Sequence, residues 1–196
     1  MNATVVSCLG DSITAGSPLW DPDRDVRARI GDALDERSQW EWWARQLDAT
    51  LDFRNHGVYG ERTDQIAVRL DAAAAGTDVL IVQGGINDVV QKRSVDDTAR
   101  NLEEMVERGR ALGLAVALTD VLPWNNGDAR AANDIDRLNA LIAAIAGRLG
   151  VPLLPFHGTL ADPDAPQRMR DELTDDGDHP SVAGHRLLGE RAFSLP

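Results

Sequence analysis

The chain is poor in the features that mark several large classes of protein. Cys8 is the only cysteine among 196 residues, so no disulfide can close within the chain. It lies in the apolar run Val5-Val6-Ser7-Cys8-Leu9, which suits a buried strand residue better than a reactive thiol. No segment approaches the roughly 20 consecutive apolar residues of a membrane-spanning helix. Basic residues are outnumbered, 20 against 32 acidic ones, for a formal charge of −12. A surface of that sign repels phosphate backbones and anionic lipid headgroups, so neither nucleic acid nor a stable membrane association is expected. Met1 is followed almost at once by the first apolar run, without the basic and apolar stretches of a secretory leader, and a cytoplasmic protein is the expectation.

What is present is an ordinary globular composition, 43% hydrophobic and 27% charged. A chain of this length can bury roughly 70% of its unfolded surface in one core, so a single domain spanning residues 1–196 is expected. Five short apolar runs recur, Thr4 to Leu9, Leu51 to Asn55, Val79 to Gln83, Leu114 to Thr119 and Val151 to Phe156. Most lack polar alternation, the pattern of strands covered on both faces of a parallel sheet.

Helical stretches separate these runs. Ser38 with Glu41 has the spacing of a capping box opening a helix to about Asp48, and Ser94 with Asp97 repeats it before Val95 to Leu112. Ile135, Leu138, Leu141, Ile142, Ile145 and Leu149 follow helical spacing up to a stop at Gly150. A last helix is expected from about Ser181 to Phe193. Trp40 and Trp43, with Leu47 at matching spacing, are expected in the core. Alternating strands and helices imply right-handed crossovers and a three-layer α/β/α sandwich. Two irregular stretches, Ser17 to Arg37 and His157 to Thr174, are either functional loops or contain short helices.

The first strand ends in Gly10-Asp11-Ser12-Ile13-Thr14-Ala15-Gly16, at the sheet edge where open α/β folds bind ligands. Ser12 there is a candidate nucleophile, and a helix starting beside it would favour developing negative charge. It could equally be a helix cap. The loop matches neither G-x-G-x-x-G nor the Lys-containing phosphate loop.

Near the other end stands Asp175-Asp176-Gly177-Asp178-His179-Pro180-Ser181. A serine hydroxyl needs a base to remove its proton, and the base works best when a carboxylate orients it. An Asp three residues before a His, with Gly between, can fold back onto the imidazole. The alternatives are a solvated acidic turn, or a metal site of Asp178, His179 and His185, whose spacing matches no recognised ligand set. His185 reads as a helix-surface residue, and His56 and His157 have no evident catalytic companion.

Two further fragments follow strands, Asn55-His56-Gly57-Val58-Tyr59-Gly60 and Gly84-Gly85-Ile86-Asn87-Asp88. Acyl transfer needs hydrogen-bond donors aimed at the developing oxyanion, and a Gly60 backbone N–H and an Asn87 amide are suitable types. Singly, each also reads as a turn residue.

The four fragments taken in order, Gly-Asp-Ser, Asn-x-Gly-x-x-Gly, Gly-x-Asn-Asp and Asp-x-x-His, closely resemble the SGNH hydrolases, also called GDSL-like lipases and esterases. The resemblance runs from Gly10 to about Leu188 with all four blocks intact. It implies a flavodoxin-like five-stranded parallel sheet of order 2-1-3-4-5 and a serine esterase needing no cofactor or metal. By motif position, Ser12 would be the nucleophile, His179 the base and Asp176 its orienting carboxylate. The Ser12 and Gly60 N–H groups and the Asn87 side chain would form the oxyanion hole. Asp11 and Asp88 would brace their loops by hydrogen bonds, with Asp175 and Asp178 in reserve.

The family spans carbohydrate O-acetylesterases, short-chain carboxylesterases, lysophospholipases and thioesterases. With no long apolar segment left for a lid or acyl tunnel, a small ester is expected, with a short acyl group on a carbohydrate-like alcohol. Trp20 and Trp124, the latter in Pro123-Trp124-Asn125-Asn126, are candidate sugar platforms or residues packed on their own loops. The contrasting reading is a non-catalytic flavodoxin-like module using the same crevice. Glycoside hydrolysis by paired carboxylates leaves Ser12, Gly60 and Asn87 without roles. Oligomeric state is not legible.

Overall fold

A computed structural model describes residues 3–196. Five strands, β1 (Thr4–Gly10), β2 (Leu51–Gly57), β3 (Val79–Val82), β4 (Ala115–Thr119) and β5 (Leu153–Leu154), form an all-parallel sheet in the order β2-β1-β3-β4-β5. Ten α-helices connect and flank them: α1 (Ser12–Ala15), α2 (Arg24–Ile30), α3 (Trp40–Leu47), α4 (Thr63–Val68), α5 (Leu70–Ala74), α6 (Ile86–Val90), α7 (Val95–Ala111), α8 (Ala129–Leu149), α9 (Phe156–Leu160) and α10 (Val182–Leu187). This is the expected α/β/α sandwich with the expected strand order.

Successive strand side chains point to opposite faces, and here both faces are covered. Leu9, Leu80, Val82, Val116 and Leu118 meet apolar residues of α4, α5, α7 and α8 on one side. Val6, Cys8, Ile81, Ala117 and Leu154 meet Trp40 of α3, Phe156 and Leu160 of α9, and the C-terminal Leu188 and Ala192 on the other. That double coverage explains why the strands read as unbroken apolar runs, with Cys8 buried among them. On the second face Trp40 is the hub, its ring centroid 5.9, 5.6 and 5.5 Å from those of Phe53, Phe156 and Phe193.

α7 and α8 begin and end close to the expected positions. Ser94 accepts from the Asp97 N–H, but Asp97 itself pairs with Arg100, so only half of the capping box forms. Asp128 caps α8 and Gly150 ends it.

Several expectations are corrected. Ser38 and Glu41 form no capping box: Ser38 ends a 3-10 turn, Gln39 stands at the helix start without a side-chain bond, and Glu41 is buried. Trp43 is only half-buried, donating to the Arg37 carbonyl at 2.8 Å, and Leu47 is 66% exposed. The fifth run pairs over Leu153–Leu154 only, because Phe156 already starts α9. The irregular stretch from Ser17 holds α2 and 3-10 turns, and the later one holds α9 and a small antiparallel hairpin, β6 (Ala161–Asp162) and β7 (Ala165–Met169). The last helix follows its Ser181 cap as α10 and continues as a π turn over Leu188–Ala192. Among the described residues, no helix is long and apolar enough to cross a membrane.

Candidate active site

β1 delivers Ser12 to the sheet edge through a tight turn. Asp11, not Ser12, caps α1: its Oδ1 accepts from the Ile13 N–H at 2.9 Å. Ser12 is the first residue of that helix, so its own N–H has no helical acceptor and points from the positive end of the turn. The turn is locked from below by Gln83, whose Oε1 accepts from the Asp11 N–H at 3.1 Å and the Thr14 hydroxyl at 2.8 Å. Burial pushes the Asp11 carboxyl up to about 6, against hydrogen bonds and the nearby His179 that work to lower it.

The neighbouring turn after β2 packs against the same helix. A Cβ on Gly57 would fall 2.1 Å from the Ala15 nitrogen, so only glycine permits this approach. Asn55 completes the contact, with Nδ2 donating to the Thr14 carbonyl at 2.6 Å and Oδ1 accepting from the Gly57 N–H at 2.9 Å. Gly60 has φ +77, a left-handed turn residue. The bonds of that turn run from Val58 N–H to Gly10 and from Glu61 N–H to Val58, leaving the Gly60 N–H outside them.

Asn87 stands at the start of α6, and one hydrogen of its amide goes to the Glu61 carbonyl, 3.0 Å from Nδ2. Asp88 braces the loop as expected, accepting from the Thr63 N–H and hydroxyl, each at 2.9 Å. Burial raises its carboxyl despite those bonds.

The C-terminal loop brings the other partners across. Asp176 Oδ1 accepts from the Asp178 N–H at 2.8 Å and the His179 N–H at 2.7 Å, so the carboxylate folds back over its own turn. Its Oδ2 lies 2.8 Å from His179 Nδ1, and His179 Nε2 lies 3.1 Å from the Ser12 hydroxyl. Partial burial acts to raise the Asp176 carboxyl, but the bonds from the His179 ring, the His179 N–H and the Asp178 N–H together hold it below the usual carboxylate range. Thr174 braces the turn, its hydroxyl donating to the His179 carbonyl at 2.7 Å and accepting from the Gly177 N–H at 2.9 Å.

Ser12, Asn87, His179 and Asp178 line one cavity with Ile13, Tyr59, Ile86, Val90 and Trp124, about 150 Å³ in volume. Trp124 is held in its wall by a bond from the indole N–H to Asp178 Oδ1 at 2.6 Å. Trp20 is not part of this cavity. It lines a separate depression with Gln39, Trp42 and Phe53, and the Arg27 guanidinium stacks on its ring, 4.9 Å from the centroid. The amides beside Trp124 are engaged by the protein itself: Asn125 clasps the Met169 backbone, and Asn126 Nδ2 donates to the Asp176 carbonyl and to Asp178.

A model of the GDSL-like Lipase/Acylhydrolase family matches residues 8–187, across all four motif blocks. The chain belongs to this family. A structure of a G-D-S-L family lipolytic protein from Desulfitobacterium hafniense superposes with a TM-score of 0.77 at 22% identity, covering 96% of this chain and 97% of that one. A GDSL-like lipase from Bacteroides thetaiotaomicron gives 0.72 at 22% identity over 95% and 84%. An acetyl xylan esterase from Geobacillus stearothermophilus gives 0.73 at 18% identity over 97% and 93%. These likenesses establish the fold. No match was found among curated proteins.

Against the family motifs, one histidine is misread. His185 is fully buried rather than on a helix surface, with neither ring nitrogen hydrogen-bonded, and burial pushes its imidazole down to about 3. Residues that motif reading misses are Gln83 and Tyr59. Gln83 had a visible signal, a polar residue closing an apolar strand. Tyr59 had none beyond its place in the second block; its ring lies 6.0 Å from that of His179.

Proposed function

We propose that the protein is a serine hydrolase of carboxylic esters, with Ser12 as nucleophile, His179 as general base and Asp176 as the carboxylate that orients it. The observation that carries this reading is the continuous contact Asp176 Oδ2 to His179 Nδ1 at 2.8 Å and His179 Nε2 to Ser12 at 3.1 Å. In the first step Ser12 Oγ attacks the ester carbonyl carbon and its proton passes to His179 Nε2. The resulting oxyanion takes hydrogen bonds from the Ser12 and Gly60 N–H groups and the free hydrogen of the Asn87 amide. The C–O bond then breaks, the leaving alcohol takes the proton from His179, and the acyl group stays on Ser12. Water, losing a proton to His179, attacks the acyl-enzyme and releases the acid and free serine. Asp176 stays ionised throughout, holding Nδ1–H toward itself so that Nε2 faces Ser12.

The preferred substrate is a small ester, with an acetyl or other short acyl group on a carbohydrate-like alcohol. The cavity of about 150 Å³ is well under the roughly 300–1,000 Å³ of pockets that enclose drug-sized ligands. Trp124 offers an indole wall for the C–H face of a sugar, and one structural neighbour is an acetyl xylan esterase. Contacts to hydroxyls would fall to Asp178 Oδ2, since Asn125, Asn126 and Asp178 Oδ1 are already engaged. A second reading, a longer-chain acylhydrolase such as a lysophospholipase or thioesterase, is favoured by the apolar side chains exposed around the cavity, Tyr59 at 66% and Val90 at 43%.

Turnover of an acyl-chain ester series and of acetylated sugars separates the two. The short-acyl reading expects kcat/KM to fall beyond a few carbons. A steady rise past about eight carbons, driven by roughly 0.8 kcal/mol per buried methylene, would replace it with the long-chain reading. No turnover of any ester would leave a binding module, and turnover unchanged in Ser12→Ala would remove Ser12 as the nucleophile.

A further inference from the structure

We infer that Arg69 is a positioning residue for the oxyanion donors, an inference that rests on the hydrolase reading above. Arg69 sits at the joint between α4 and α5, outside the four motif blocks. Its guanidinium spreads over three segments at once. Nη1 donates to the His56 carbonyl at 2.7 Å and Nη2 to the Gly10 carbonyl at 3.0 Å. Nε and Nη2 both donate to Glu61 Oε2, at 2.9 and 2.6 Å.

Two of the three acceptors, Gly10 and Glu61, are two residues and one residue from a proposed oxyanion donor, and the third, His56, lies four residues before Gly60. Gly10 lies two residues before Ser12, at the last register pair of β1 and β2, and its carbonyl accepts from both the Val58 N–H and Arg69 Nη2, each at 3.0 Å. His56 is the residue before Gly57, at the C-terminal end of β2, from which the turn carrying Gly60 follows. Glu61 follows Gly60 directly, and its backbone carbonyl accepts from Asn87 Nδ2 at 3.0 Å. Glu61 is thereby held at both ends, by Arg69 through its carboxylate and by Asn87 through its carbonyl.

The geometry suits arginine better than lysine. The planar fork reaches two backbone carbonyls and a carboxylate together, whereas an ammonium is a point donor on a flexible stem. The ion pair is largely buried, with side chains 26% and 19% accessible, so water competes little for these bonds and the fork is held in one geometry. An oxyanion donor acts only where it meets charge in the transition state, and a displacement of about 1 Å can cost on the order of 10²-fold in rate.

The test compares Arg69→Met, Arg69→Lys and Glu61→Gln with wild type on 4-nitrophenyl acetate, with Ser12→Ala as reference and thermal melts as a fold check. The expected result is a fall in kcat of about 10- to 100-fold for Arg69→Met with KM and the pH–rate profile unchanged. Partial recovery is expected in Arg69→Lys or on adding millimolar guanidinium. A folded Arg69→Met with kcat within about twofold of wild type, or a loss confined to KM, overturns the inference. If Arg69→Met does not fold, Glu61→Gln decides: kcat several-fold lower supports it, unchanged kcat overturns it. The hydrolase reading fails by a different sign, activity that survives in Ser12→Ala.

Discussion

Ser12, Gly60 and Asn87 stand at strand ends whose supports are buried or half-buried, whereas Asp176 and His179 ride on a loop whose supports face water. Gln83, Thr14 and Asp11 under Ser12 are each at most 5% exposed. Asp176, Asp178 and Asn126, which shape the other side, are exposed or partly so. A buried hydrogen bond leaves an expensive orphan when one partner is lost, while an exposed one is replaced by water. The strand-end half is therefore held by bonds that are costly to lose, and the half proposed to move protons by many individually weak ones.

The largest expected effect crosses the divide. Ser12→Ala and His179→Ala should each lower kcat on an activated acetyl ester by about 10³-fold or more, and Asp176→Ala by less, since members of a triad act as a unit. Equal losses on both sides would show that the two halves work as one device. A mild His179→Ala phenotype beside a severe Ser12→Ala one would separate them.

Next comes the strand-end half alone. Asn87→Ala should lower kcat about 10²-fold with a native melt, as expected for one lost oxyanion donor. Should only KM rise, Asn87 merely positions substrate.

On the exposed half, Asn126→Ala removes the donor to the Asp176 carbonyl and to Asp178. A net contribution of about 0.5–1.5 kcal/mol per bond corresponds to a loss of roughly two- to tenfold, read in steady-state rates. A loss as deep as that of Asn87→Ala would mean the loop is as rigidly determined as the strand ends.

The smallest effects are on stability, where two buried groups, His185 and Glu41, should act in opposite pH directions. His185, in the helix after the loop, is held down to about 3 by burial. An unfolded chain's imidazole titrates near about 6.5, so as pH falls from there toward 3 the unfolded state gains a proton the native state refuses. Stability should drop by up to about 1.4 kcal/mol per pH unit in that window, and His185→Gln should flatten the acid side of a melting-temperature profile. Glu41, on α3 against the sheet face, is raised to about 8 by burial. Its ordinary value is about 4.3, so stability is lost as pH rises between the two, and Glu41→Gln should remove that loss between about 4.3 and 8.

The same divide governs what could be read before the fold was known. The blocks around Ser12, Gly60, Asn87 and Asp176 to His179 lie where strand ends or a terminal loop concentrate chemistry, so residue type and order reveal them. The strands were legible because both sheet faces are buried, which leaves continuous apolar runs. Arg69 and Gln83 act through backbone groups far away in sequence, and no local pattern carries that. His185 was misplaced because six residues are too few for the helical period to tell the covered face, Gly184 and His185, from the exposed one, Ala183 and Arg186. Trp20 and Trp124 looked alike as loop aromatics, yet only tertiary partners, Arg27 for one and Asp178 for the other, separate them.

The central claim is that Ser12 carries the acyl group between two half-reactions. Rapid acid quench of the protein with excess 4-nitrophenyl acetate, followed by peptide mapping, tests it directly. The account predicts one acetyl group on the peptide containing Ser12, formed with the nitrophenol burst and absent in Ser12→Ala. Turnover with no acetyl on Ser12, or the same acetylation and burst in Ser12→Ala, would contradict it.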